Sequence, residues 1–149
     1  MSLSGKIRMS ITALNTLAGY DLATPQENVN QSLEKTVSAG VMYHARITIA
    51  DGGTSSIDVS DASLSDVFGN TIDMITVSAL YISASTDNTT DVTIVTGTTP
   101  IVEDLPPLSA GEGVSFLSDI DVTTNSKLHF SNGSGATADI DVIITGVES

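Results

Sequence analysis

Two stretches with the same spelling, Asp119-Ile120-Asp121-Val122 and Asp139-Ile140-Asp141-Val142, bring this 149-residue chain closest to metal chemistry. At a strand's period of two, both acids of each copy lie on one face, and oxygen-rich clusters of that kind can hold calcium. Alternating acid and aliphatic is also what any half-exposed strand shows, and no Asp-x-Asp-x-Asp-Gly loop accompanies either copy. His44 and His129, the only histidines, each stand between apolar neighbours on expected strands. A general base or metal ligand there would need converging acids and a cleft, so a hydrogen-bonded or solvent-facing strand histidine is expected at both. Composition excludes a cysteine nucleophile, and no G-x-S-x-G elbow occurs. Gly111-x-Gly113 and Gly133-x-Gly135 read as turns, because no helix follows to receive a phosphate. Asn88-Thr89-Thr90 and Asn132-Gly133-Ser134 match the glycosylation sequon, an accidental match where no secretory signal precedes it. No enzyme, metal or cofactor is expected, and function falls by elimination to surface, assembly and binding.

The elements that carry these residues are strands. The composition is rich in Gly, Ser, Thr, Asp and Val, and it lacks the Ala, Leu, Glu and Lys runs of helices. With 40% apolar content the chain can bury one core. Its formal charge of −13 sets 18 acids against Lys6, Arg8, Lys35, Arg46 and Lys127. Such a balance repels phosphate backbones, so no nucleic-acid partner is expected. No apolar run approaches the roughly 20 residues that span a bilayer, and the opening MSLSGKIRMSITAL lacks a signal peptide's apolar segment. The expectation is a protein made in the cytoplasm, with no membrane partner.

The run Asp66 to Ile82 supplies the central strand. Phe68-Gly69-Asn70 turns the chain, and a β-branched and aromatic run follows. A period of two puts Ile75, Val77, Ala79 and Tyr81 on one face, with Met74, Thr76, Ser78, Leu80 and Ile82 on the other. Earlier, Lys6 to Leu14 alternates, with Ile7, Met9, Ile11 and Ala13 opposite Lys6, Arg8, Ser10 and Thr12. Residues 15–30 read as a connection, 31–37 as a strand, Ser38-Ala39-Gly40 as a turn, and Val41 to Ala50 as a strand closed by Asp51-Gly52-Gly53. SIDVS is a short strand, and DASLSDVFG suits one helical turn capped by Asp61. The segment 97–113 holds three of the four prolines and forms a loop. Its Ile101, Val102, Leu105 and Leu108 must either fold back on the core or meet another chain. The last third repeats short strands between turns. About nine strands describe an all-β, single-domain β-sandwich, jelly-roll-like, over residues 31–149, with residues 1–30 as an N-terminal strand or arm and its connection.

The order of segments resembles a group of small tailed-phage virion proteins that decorate or cement the head. The resemblance rests on NQSLEKTVSAG, LSDVFGNTIDMITVSALYISAS, TDVTIVTG and LSAGEGVSFLSDIDVTTNSKLHFSNGSGATADIDVIITG. It implies a β-sandwich subunit, commonly a homotrimer, sitting on the capsid exterior of the virion and stapling neighbouring copies of the major capsid protein. On that footing Lys6, Arg8 and Tyr20, in the first strand and the 15–30 connection, are expected to dock on the shell. Ile101, Val102, Leu105 and Leu108, with Met74 and Leu80, are expected to join subunits. A rival from another class is a phage fibre module that binds a receptor or carbohydrate. The absence of Trp and the presence of only three Tyr and three Phe disfavour sugar stacking.

Overall fold

The computed structural model describes residues 3–16, 26–66, 68–95, 97–102 and 105–148, and among them there are strands and no helix. The chain opens with β1 (Leu3–Thr16) and β2 (Gln26–Ile49), continues through β3 (Thr54–Asp58), β4 (Leu64–Ser65) and β5 (Thr71–Ile72), and reaches β6 (Met74–Ala84). Then come β7 (Val92–Ile94), β8 (Gly113–Phe116), β9 (Ile120–Asp121), β10 (Lys127–Asn132) and β11 (Ala138–Glu148). The larger sheet has the order β1-β2-β11-β6-β8, with β9 also on β6, and the smaller has the order β3-β10-β7. β4 and β5 form a separate hairpin. All pairings between these strands are antiparallel.

Alternation along the strands makes the core. Ile140, Val142 and Ile144 of β11 are fully buried in one cluster with Leu128 and Phe130 of β10, Val92 and Ile94 of β7, and Ile57 of β3. Two sheets enclosing one apolar layer is the β-sandwich the sequence predicts. The sandwich is shown; a jelly-roll winding is not established by these strand orders.

β6 departs from simple alternation, and the register gives the reason. Thr145 pairs with Ala79 and Gly146 with Val77, then Val147 pairs with Thr76 and Glu148 with Met74. Ser78 and Ile75 are therefore extra residues on β6, and each bulge shifts which alternate residues point inward. As a result Met74, Val77, Leu80, Ile82 and Ala84 are all buried, although Val77 was expected on the face opposite Met74, Leu80 and Ile82, while Ile75 and Tyr81 remain exposed. Gly146 accommodates the bulged strand: a Cβ there would collide with the Thr76 carbonyl oxygen and lie 2.8 Å from Met74 Sδ.

Three expected boundaries change. β2 runs unbroken through Ser38-Ala39-Gly40. Leu3 pairs with Gly40 and Ser4 with Ser38, so Ala39 is a bulge where a turn was expected. β1 reaches Thr16 and β2 begins at Gln26, which shortens the expected 15–30 connection and places the 30/31 boundary inside a strand. Among the described residues of 61–69, no helical turn forms. Leu64 and Ser65 pair with Ile72 and Thr71 instead, and Asp61 Oδ1 accepts the Ser63 N–H at 2.9 Å in a local turn.

Candidate functional site

The carboxylates and histidines that could do chemistry are dispersed, and hydrogen bonds occupy all of them but His44. Asp119 Oδ1 accepts the Ser78 hydroxyl at 2.9 Å. Asp121 Oδ1 accepts the Thr123 N–H at 2.9 Å and its hydroxyl at 2.7 Å, bonds that hold the Asp121 carboxyl below its usual range. Thr48 donates to Asp139 at 2.6 Å, one strand across. Arg46 grips Asp141 with two bonds, Nε to Oδ1 at 3.0 Å and Nη2 to Oδ2 at 2.7 Å. That bidentate bond lowers the Asp141 pKa against the opposing effect of burial, and it raises that of Arg46. His44 is exposed on β2. His129 Nε2 lies 3.1 Å from the Thr98 carbonyl, and its ring rests against Gly97 where any side chain would collide with it. Among the described residues, no group of three or more His, Cys, Asp or Glu could hold a metal ion.

Two asparagines that the sequence marks only as sequons are structural clasps. Asn132 is buried, and its Nδ2 donates to the carbonyls of Ile49, Ala50 and Ala136 at 3.2, 3.0 and 2.8 Å while its Oδ1 accepts the Thr90 hydroxyl at 2.7 Å. Asn88 pairs with the backbone of Asp139 as a strand would, donating to its carbonyl at 2.9 Å and accepting its N–H at 2.8 Å. Their signal in the sequence was an amide beside turn residues, read there as a modification site.

The residues expected at a subunit interface meet their own chain. Met74, Leu80 and Leu108 are buried within the core and are unavailable to a partner, which corrects the expectation for all three. Ile101, Val102 and Leu105 are half-buried against the same core. The 97–113 loop is fastened by the Ile101 N–H to the Lys127 carbonyl at 2.7 Å and by reciprocal bonds between Leu108 and Val92 at 2.8 and 3.0 Å. Of the two alternatives, folding back on the core is the one observed.

Some large apolar side chains remain outward. The outer face of the larger sheet carries Ile75, Tyr81 and Val147, all at least 38% exposed, and the tip before β5 carries Phe68 at 69%. Asp66 holds that tip, accepting the N–H groups of Phe68 and Asn70 at 2.8 Å each and the Asn70 side-chain amide at 2.9 Å. A separate feature is the ribbon of β1 and the first part of β2. β1 pairs with Gln26 to Gly40, whereas β11 pairs with Val41 to Ile49, so among the described residues no residue of β2 serves both neighbours. The backbones of Lys6 and Arg8 lie in this ribbon opposite Thr36 and Glu34. Tyr20 lies outside the described residues.

Charge divides along the same line. Residues 1–40 hold three bases and three acids, while residues 41–149 hold two bases and fifteen acids, so the whole −13 belongs to the latter. Both bases of the acidic part are paired, Arg46 with Asp141 and Lys127 with Asp58 at 3.5 Å. Comparison with protein-family models, curated proteins and solved structures finds no match.

Proposed function

We propose that this chain is a structural virion protein, not an enzyme, that decorates the outside of a phage capsid as an oligomer and strengthens contacts between capsomers. The observation that carries the reading is the partition of charge between residues 1–40, which are net neutral and hold the two-stranded ribbon, and residues 41–149, which hold all the net charge. A ribbon of fourteen paired positions, about 45 Å long at strand spacing, is an anchor, and the acidic sandwich is a soluble cap turned to solvent. Lys6 and Arg8 are the ribbon's contribution to docking on the major capsid protein. The resemblance of segment order supports the same partner and implies three copies per decoration site. Several such contacts held in one oligomer give avidity without any one being strong.

Co-sedimentation tests it. The purified chain should pellet with undecorated phage heads and raise their resistance to heat, and Lys6→Glu with Arg8→Glu should lower occupancy several-fold. A chain that stays in the supernatant with expanded and unexpanded heads alike sinks the reading. The outer sheet face favours a second one, a receptor- or carbohydrate-binding module. There the exposed Tyr81 stands one strand from Ile143, beside the row of Ser83, Asp141 and Arg46. Glycan-array binding lost in Tyr81→Ala would bring it forward.

A further inference from the structure

A sheet edge offers backbone N–H and C=O groups to any strand laid beside it, and folded proteins keep such edges short, bulged, charged or covered. The edges of the sandwich are managed unequally. β7 has three residues, and its Val92 exchanges two backbone bonds with Leu108. β8 has four and opens on Gly113. β3 has five and ends on Asp58, which Lys127 meets at 3.5 Å. The second half of β2 has none of these devices. From Val41 to Ile49 it pairs with β11 in an unbroken register, it contains neither Pro nor Gly, and its one charged side chain, Arg46, is exposed on the outer face with Asp141. Among the described residues, no strand other than β11 pairs with these nine. The core-facing row is incomplete in the same place. Ile140, Val142 and Ile144 of β11 are fully buried, while Ile47, Ala45 and Tyr43, opposite them on β2, are only half-buried.

We infer that this edge pairs with the same edge of a second copy of the chain, antiparallel about a two-fold axis at Ala45, so that the two larger sheets run into one. The nine residues have the order such an axis needs, because a two-fold interface must be complementary to itself. Turned about Ala45, Val41 stands opposite Ile49 and Tyr43 opposite Ile47 on the core-facing side, with His44 opposite Arg46 on the outer side. Pairs of β-branched residues with aromatic or other β-branched ones are the favourable kind across antiparallel strands. Ala45, the smallest side chain of the row, meets its own equivalent. The half-buried row of each copy thereby gains the cover that β11 already has. An axis at Arg46 would bring two guanidinium groups together, and one at His44 would leave Tyr43 opposite Ala45. An extended segment of another protein could satisfy the same backbone groups, and the self-complementary order of side chains is what favours a second copy. The pairing uses neither β1 nor Gln26 to Gly40, so the inference stands apart from capsid docking and from the three copies that the resemblance implies.

The test is the molar mass of the full chain by light scattering, with sedimentation equilibrium for Kd and a cross-link for the register. Wild type should run at twice the 15.3 kDa chain mass. The chain has no cysteine, so a single introduced one can bridge only two copies. Opposed residues of antiparallel strands hold their Cβ atoms about 5 Å apart, near the reach of a disulfide. Ala45→Cys should therefore form a covalent dimer under mild oxidation, and Thr124→Cys, in an exposed turn, should not. His44→Lys sets a second cation opposite Arg46 and should raise Kd several-fold, whereas His44→Asp gives Arg46 a carboxylate across the axis and should lower it. Because His44 is exposed, both His44 variants should fold, and far-UV circular dichroism of each variant keeps folding separate from assembly. A wild-type monomer, a wild-type trimer, His44 variants that leave Kd unchanged, or an Ala45→Cys that folds yet bridges no faster than Thr124→Cys overturns the two-fold pairing. None of those results alters the co-sedimentation of the chain with heads.

Discussion

From Val41 to Ile49, β2 is paired with β11 and its Tyr43, Ile47 and Ile49 pack on the core; from Gln26 to Gly40 the same strand is paired with β1 alone. Both halves alternate apolar and polar residues, and both make the same kind of ladder. They differ in what stands behind the ladder. The second half gains its stability from a sandwich core, whereas among the described residues the first is paired with β1 alone. Strand propensity is thus shared along β2, while the packing of Tyr43, Ile47 and Ile49 ties its second half to the core.

The strongest way to break the comparison is to damage the supported half and watch the other. Gly146→Val forces a side chain into the Thr76 carbonyl beside Met74, next to the point where β2 passes from β1 to β11. It should cost about 3 kcal/mol or more, read as a lower urea midpoint by circular dichroism. Amide exchange should quicken across residues 41–49. A smaller change acts at the other end of that half. Asn132→Ala leaves the Ile49 and Ala50 carbonyls without their amide and should cost about 2 kcal/mol, with exchange quickened near Ala50 and little changed in residues 26–38.

The smallest effect sharpens the comparison by pH. Arg46→Gln removes the partner that depresses the Asp141 pKa below its ordinary value of 3.8. A depressed folded-state pKa stabilises above the unfolded value, and that stabilisation is lost as pH falls through the folded value. The urea midpoint of the variant should therefore lie slightly below wild type at pH 7. The two should converge as the pH drops below 3.8, since both then lack the ion pair.

Much of the sandwich was legible in the sequence. Met74 to Ile82 announced itself through β-branched residues free of proline, and Asp51-Gly52-Gly53 through turn chemistry, with Gly52 at φ 60° and the Gly53 N–H on the Ala50 carbonyl at 2.9 Å. The errors have physical causes. Ser38-Ala39-Gly40 has the composition of a turn, yet small residues also suit a bulge, and pairing with Leu3 decided between them. Leu64, Val67 and Phe68 have helical spacing, but the Asp61 and Asp66 side chains bond nearby N–H groups and favour a hairpin. Met74, Leu80 and Leu108 were recognisable as apolar residues needing cover. Which chain supplies the cover depends on long-range register and on two bulges in β6, and no local pattern encodes those.

The handover on β2 also has a mechanical meaning. Because among the described residues β1 and β11 share no residue of β2, tension applied at the far end of the ribbon passes into the sandwich along the backbone at Gly40 and Val41. There it runs parallel to β2 and loads its nine pairings with β11 in shear, so they resist together instead of opening one at a time. Forced unfolding is governed by the rate of crossing the unfolding barrier. A ribbon attached in this way can be pulled along its length without peeling the sandwich from its edge.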